Sequence, residues 1–260
     1  MSLGTRLFLP FSSPEPIVLI SALCRRKLKL VAFVVVELLK DSTVSKKMAE
    51  KWRVMITGAS GLLGRAVFKK LSKDESFLIM GCAHSRCRGN LRQIDLMDLE
   101  TTEKVVREFQ PNVLIHSAGE RRPDVVEKNE GKAKQINVDS TARLAQIMTS
   151  LNEDLKQPRH FMLYISTDYV FDGTSPPYTP RDQPNPLNKY GKSKLEGEKM
   201  LLAYHPIGGI LRIPILYGEV EYLRESAVTC ESLFPCSACL HSNAAISVTP
   251  RWAGGGDLTF

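Results

Sequence analysis

The sequence predicts a doubly wound α/β fold, a parallel sheet covered by helices on both faces. Two observations carry that prediction. From residue 52 to about residue 218, short β-rich runs alternate with segments of helical apolar spacing. A glycine turn of the form GxxGxxG also sits directly after the first of those runs.

In chain order, Arg53–Thr57 is a β-rich run ending at Gly58, and Leu62–Leu71 has the apolar spacing of a helix. Phe77–Cys82 reads as a second buried strand and Leu91–Leu96 as a third. Leu99–Phe109 is an amphipathic helix, punctuated by Gln110-Pro111 before a fourth strand at Val113–His116. A helix is expected over Ala133–Thr149 and a fifth strand over Phe161–Ser166. Pro176, Pro177, Pro180, Pro184 and Pro186 make the next stretch a loop, because a ring at each position blocks both ladder and helix hydrogen bonds. Asn188–Leu202 returns to helix, and Ile210–Ile215 is a sixth strand.

The flanks read differently. Residues 1–51 form a basic leader, expected to be loosely packed, and residues 230–260 an irregular tail of Ser, Ala, Cys and Gly ending near Ala253–Asp257. The apolar runs Ile17–Leu23 and Leu28–Leu39 are split by Arg25-Arg26-Lys27 and are shorter than the roughly 18 residues of a membrane span. The basic residues interrupt the apolar stretch rather than precede it, unlike a secretory signal. The expected location is the cytoplasm, with a mitochondrial transit peptide as the alternative.

The formal charge is +7, but ten Lys/Arg against four Asp/Glu fall in residues 1–53 and twenty-five against twenty-four in residues 54–260. A near-neutral globular part argues against a nucleic-acid face. Cys24, Cys82, Cys87, Cys230, Cys236 and Cys239 are irregularly spaced and read as free thiols. Cys236 and Cys239 make a CxxC with only Cys230 and His241 nearby, so no metal site is expected.

In Thr57–Gly64 each glycine has a task. Gly58 permits the turn out of the strand, Gly61 lets backbone N–H groups approach a pyrophosphate, and Gly64 allows close helix packing. Cofactor choice is set after the second strand, where Gly81–Arg88 carries no acid to hold a ribose 2′-hydroxyl. NADP is expected, with Arg86 clamping the 2′-phosphate beside His84 and Ser85, and Asp95-Leu96 at the adenine edge. NAD is the second choice. Tyr190 and Lys194 are four apart on a helix and share a face. The ammonium can lower the phenol pKa and hold the nicotinamide ribose, leaving the phenol as general acid to a carbonyl accepting hydride. Ser166, Thr167 and Asp168 end the preceding strand and could orient that carbonyl.

Ser166–Gly173, followed by Pro186–Glu198, resembles the dTDP-4-dehydrorhamnose reductase family, in the extended short-chain dehydrogenase/reductase superfamily. His116–Glu127, with its Glu-Arg-Arg-Pro-Asp run, and Leu211–Val220 are similar to one branch of it, the regulatory beta subunits of methionine adenosyltransferase. The resemblance covers about Arg53 to Thr229. It implies NADP binding and attachment to the catalytic alpha subunits that make S-adenosylmethionine. Carried over, cofactor contacts fall on Ser60, Gly61, Leu62, Leu63, His84, Ser85, Arg86, Asp95, Leu96, Ser117, Arg121, Tyr190 and Leu216. The chain departs from the family in having Ser85-Arg86 where two adjacent basic residues are usual. It departs again beyond position 229, where the family's second domain is largely missing. Marginal stability and impaired substrate closure are then expected.

Three functions follow. The first is a non-catalytic regulatory subunit of methionine adenosyltransferase. The second is an NADP-dependent reductase of a nucleotide-linked deoxysugar using Thr167, Asp168, Tyr190 and Lys194. The third is a truncated chain that does neither.

Overall fold

The computed structural model describes residues 17–19, 51–153, 155, 159–216, 218–222 and 225. The cysteines 24, 230, 236 and 239, His241, most of the leader and the whole tail lie outside the described residues, as does the question of a second domain.

Seven parallel strands form one sheet: β1 (Ile17–Leu19), β2 (Trp52–Thr57), β3 (Phe77–Ala83), β4 (Arg92–Gln93), β5 (Val113–His116), β6 (Phe161–Thr167) and β7 (Gly209–Ile213). Their spatial order is β1-β7-β6-β5-β2-β3-β4. From β2 the chain winds outward through β3 and β4, then returns to the other side of β2 and winds outward through β5, β6 and β7. The direction reverses between β2 and β5, so the carboxyl ends of those strands, at Thr57 and His116, open a crevice.

The helices are α1 (Leu62–Leu71), α2 (Leu99–Phe109), α3 (Pro123–Lys128), α4 (Glu130–Lys134), α5 (Ser140–Ser150) and α6 (Lys189–Tyr204). Alternation along β2 divides the core between the two faces. Val54 and Ile56 pack with Leu63, Val67 and Leu71 of α1, while Met55 packs with Val105, Val106, Leu144, Met148 and Leu201 of α2, α5 and α6. Both faces carry helices, as a doubly wound fold requires.

Local chemistry explains where the elements stop. Asp98 caps α2 by accepting from the Thr101 N–H, and Gln110 takes a left-handed φ of 46° before Pro111. Asn188 caps α6 by accepting from the Gly191 N–H at 2.7 Å. The proline-rich segment has no regular structure. The Asp172 carboxylate organises it by accepting from the Tyr178 and Thr174 hydroxyls and the Asn185 amide.

Four expectations need correction. The third strand is two residues long, not Leu91–Leu96, because the Asp95 carboxylate accepts from the Met97 N–H and turns the chain toward α2. The single helix over Ala133–Thr149 is three pieces, with a π turn at Gln135–Asp139 between α4 and α5. There the Ser140 and Thr141 hydroxyls donate to the carbonyls of Ile136 and Asn137. The short helix α3 was not anticipated, although Pro123 occupies its first turn, where a missing N–H costs nothing. Three residues of the leader form β1, pairing Ile17, Val18 and Leu19 with Ile210, Leu211 and Arg212. This short strand supplies partners for β7 backbone groups that would otherwise face an open edge.

Candidate functional site

The crevice is a cleft of about 550 Å³, within the ordinary range for small-ligand sites. Its floor is the turn after β2. Gly58 has φ +70°, and a Cβ there would lie 2.7 Å from the Ala118 nitrogen, so only glycine permits the approach to the chain after β5. A Cβ at Gly64 would fall 2.3 Å from the Gly58 carbonyl oxygen, which fixes how closely α1 starts beneath the turn. The Gly61 N–H donates to the Gly58 carbonyl at 2.9 Å and closes the loop. This loop opens α1, whose positive end faces the cleft. The cradle therefore fits a dinucleotide pyrophosphate, with Ser60, Gly61, Leu62 and Leu63 lining it.

Two further walls complete the cleft. After β3 come His84, Ser85 and Arg86, with Asp95 and Leu96 from the chain following β4. After β5 come Ser117, whose hydroxyl donates to the Thr57 carbonyl at 2.7 Å, and Arg121. Leu216, after β7, also lines the cleft. Every predicted cofactor contact, from Gly58 to Leu216, thus reaches one cleft.

The helix α6 end holds the candidate chemistry. Thr167 and Tyr190 both line this end of the cleft. Burial pushes the Tyr190 pKa above its ordinary value, the Thr167 hydroxyl and the Arg121 charge lower it in part, and Asp168 raises it. The Tyr169 ring meets Tyr190 edge-on at 5.7 Å. Asp168 is not brought to the cleft wall. It lies in the turn 168–170, where its carboxylate accepts from the Thr167 hydroxyl at 3.3 Å.

Lys194 lines the same cleft as Tyr190. Its ammonium lies 4.0 Å from the centroid of the Tyr164 ring, almost fully buried. Burial lowers its pKa to about 7, opposed by the Glu198 charge. Tyr190 and Lys194 share the helix face that lines the cleft. Ser166 also lines the cleft, and its hydroxyl donates to Glu198 at 2.5 Å. Glu198 is held in turn by Arg212 through two charge-assisted bonds of 2.9 and 2.6 Å.

Sequence reasoning missed several positioning residues. Asn137, in the π turn, accepts from the Glu120 N–H at 2.8 Å and donates to the Glu120 carbonyl and the Ser193 hydroxyl, each at 3.0 Å. It pins the loop carrying Arg121 against α6. His116 bridges the hydroxyls of Thr57 at 2.7 Å and Thr141 at 3.1 Å. Arg65 bonds the Ser60 carbonyl at 3.2 Å and the Glu225 carboxylate at 2.8 and 3.0 Å. Polar residues on otherwise apolar faces were the one signal for Asn137 and His116. No local spacing signals that Arg65 and Glu225, 160 positions apart, meet.

A crevice at a sheet switch point, floored by a glycine turn and walled by a Tyr-x-x-x-Lys helix, defines a dinucleotide-fold protein of the extended short-chain dehydrogenase/reductase class. Residues 52–230 match the family model described as RmlD substrate binding domain, and the chain belongs to that family.

Over 177 residues it is 50% identical to methionine adenosyltransferase 2 subunit beta of Bos taurus, covering 68% of this chain and 51% of that protein. It is 34% identical over 168 residues to dTDP-4-dehydrorhamnose reductase of Aggregatibacter actinomycetemcomitans, covering 64% of this chain and 52% of that one. Among solved structures, dTDP-4-dehydrorhamnose reductase from Bacillus anthracis in complex with NADP superimposes with a TM-score of 0.56 at 31% identity, covering 68% of this chain and 58% of that one. The likeness to both groups read from residues 53–229 therefore holds. The chain spans about half the length of the curated relatives it matches. Among the described residues no helix is long and apolar enough to cross a membrane.

Proposed function

We propose that this chain binds a nicotinamide dinucleotide, NADP in preference to NAD, and acts as a non-catalytic regulatory subunit of methionine adenosyltransferase. In that role it attaches to the catalytic alpha subunit and modulates S-adenosylmethionine synthesis from methionine and ATP. A cytoplasmic location belongs to the same reading.

The observation that carries it is the convergence of Gly58, Ser60, Arg86, Ser117, Arg121, Tyr190, Lys194 and Leu216 on one cleft. The similarity to beta subunits, at 50% identity for the Bos taurus protein, supports the regulatory role over the reductase role.

The second reading is an NADP-dependent reductase of a nucleotide-linked 4-keto sugar with Tyr190 as general acid. The placement of Thr167 and Tyr190 together on the cleft lining favours it. One experiment separates the two. The purified chain is mixed with catalytic alpha subunit, with and without NADP, and retention on an affinity matrix is measured. In parallel, NADPH oxidation is followed with a dTDP-4-keto sugar. Retention without oxidation supports the regulatory reading. Oxidation that is lost in Tyr190→Phe supports the reductase reading and overturns the first.

A further inference from the structure

Arg86, the residue expected to clamp a 2′-phosphate, already has an anionic partner. Glu225 is buried to 2% exposure and lines the same cleft wall as Arg86. Its Oε1 accepts from Arg86 Nη1 at 3.3 Å and from Arg65 Nη1 at 2.8 Å, while Oε2 accepts from Arg65 Nη2 at 3.0 Å and from the Glu221 N–H at 2.8 Å. The Glu221 carboxylate lies 3.6 Å from Arg65 and 3.7 Å from Arg86. The Tyr222 ring packs under the Arg86 guanidinium at 5.0 Å. Two arginines thus face two carboxylates, and the pocket beside the ribose site is close to neutral rather than cationic.

Charge balance decides what such a pocket selects. A 2′-phosphate brings nearly two negative charges and needs uncompensated guanidinium to bind. A 2′-hydroxyl needs none. The geometry points to Glu225 as a cofactor-specificity residue, one that competes with the 2′-phosphate of NADP for Arg86 and so narrows the preference for NADP over NAD. Glu221 acts in the same direction from a more exposed position. This inference rests on the dinucleotide reading of the cleft and explains how a chain with Ser85-Arg86 in place of two adjacent basic residues would treat the two cofactors.

The test is equilibrium binding of NADPH and NADH, measured by cofactor fluorescence, to the full chain and to Glu225→Gln. Removing a charge this close to the phosphate raises the ratio of NADPH to NADH affinity about tenfold. NADH affinity itself changes little. Glu221→Gln shifts the ratio the same way by a smaller factor, and it answers the question should Glu225→Gln fail to fold, since Glu221 is one-third exposed. A ratio unchanged or lowered in the folded variants overturns the inference while leaving the dinucleotide reading intact. Failure of both nucleotides to bind the unaltered chain overturns both.

Discussion

The Lys194 ammonium and the Tyr164 ring are 4.0 Å apart, and burial there lowers the lysine pKa to about 7. A lysine in that state is an acceptor waiting for a proton. A nucleotide in the cleft adds negative charge nearby and raises its pKa, so binding above pH 7 takes up a proton, and affinity falls as pH rises through 7 to 9. Calorimetry at pH 8 in two buffers of different ionisation heat should report net proton uptake on binding. Lys194→Met should abolish that uptake and weaken binding.

Crowding beneath the glycine turn makes a graded prediction. Gly64→Ala puts a methyl 2.3 Å from a backbone oxygen, whereas at Gly61 the nearest atom is 3.2 Å away. Gly64→Ala should cost about 2–4 kcal/mol and eliminate nucleotide binding. Gly61→Ala should melt close to the unaltered chain yet bind nucleotide more weakly. Thermal melts and cofactor titrations of the two variants separate stability from binding.

Much of this was legible in the residues because the information is local. The spacing over Leu62–Leu71 and Leu99–Phe109 gave helices with the observed ends, and Gly58, Gly61 and Gly64 named the cradle. What escaped needed partners distant in sequence. Asn137, in the π turn, sends its amide to Glu120 and Ser193, and periodicity cannot register those partners. The direction of Lys194 depends on Tyr164, and the state of Arg86 depends on Glu225, 139 positions away. Ser166 and Thr167 look alike in sequence. Strand alternation sends one hydroxyl to Glu198 and the other to Asp168 and the Tyr169 N–H.

Glu198 and Arg212 are each about 2% exposed, so neither charge can be satisfied by water when the other is removed. Glu198→Gln should destabilise the fold by about 3–5 kcal/mol, while replacing both by apolar residues of similar volume should recover most of that loss. Denaturant melts of the single and double variants measure the difference.

Burial, helped by the Lys194 charge, lowers the His116 pKa to about 3. The folded chain refuses a proton that the unfolded chain accepts below about pH 6.5, so stability is full above that pH and declines as pH falls toward 3. His116→Gln should flatten this decline, as read from denaturant midpoints between pH 7 and pH 4. An unchanged slope would assign the acid sensitivity to other groups.

The central claim is a dinucleotide in the cleft between the glycine turn and Lys194. Titration of the purified chain with NADPH, followed by cofactor fluorescence, tests it most directly. The account predicts saturable one-to-one binding that Gly64→Ala abolishes and Lys194→Met weakens. Absence of binding, or binding indifferent to both substitutions, would contradict it.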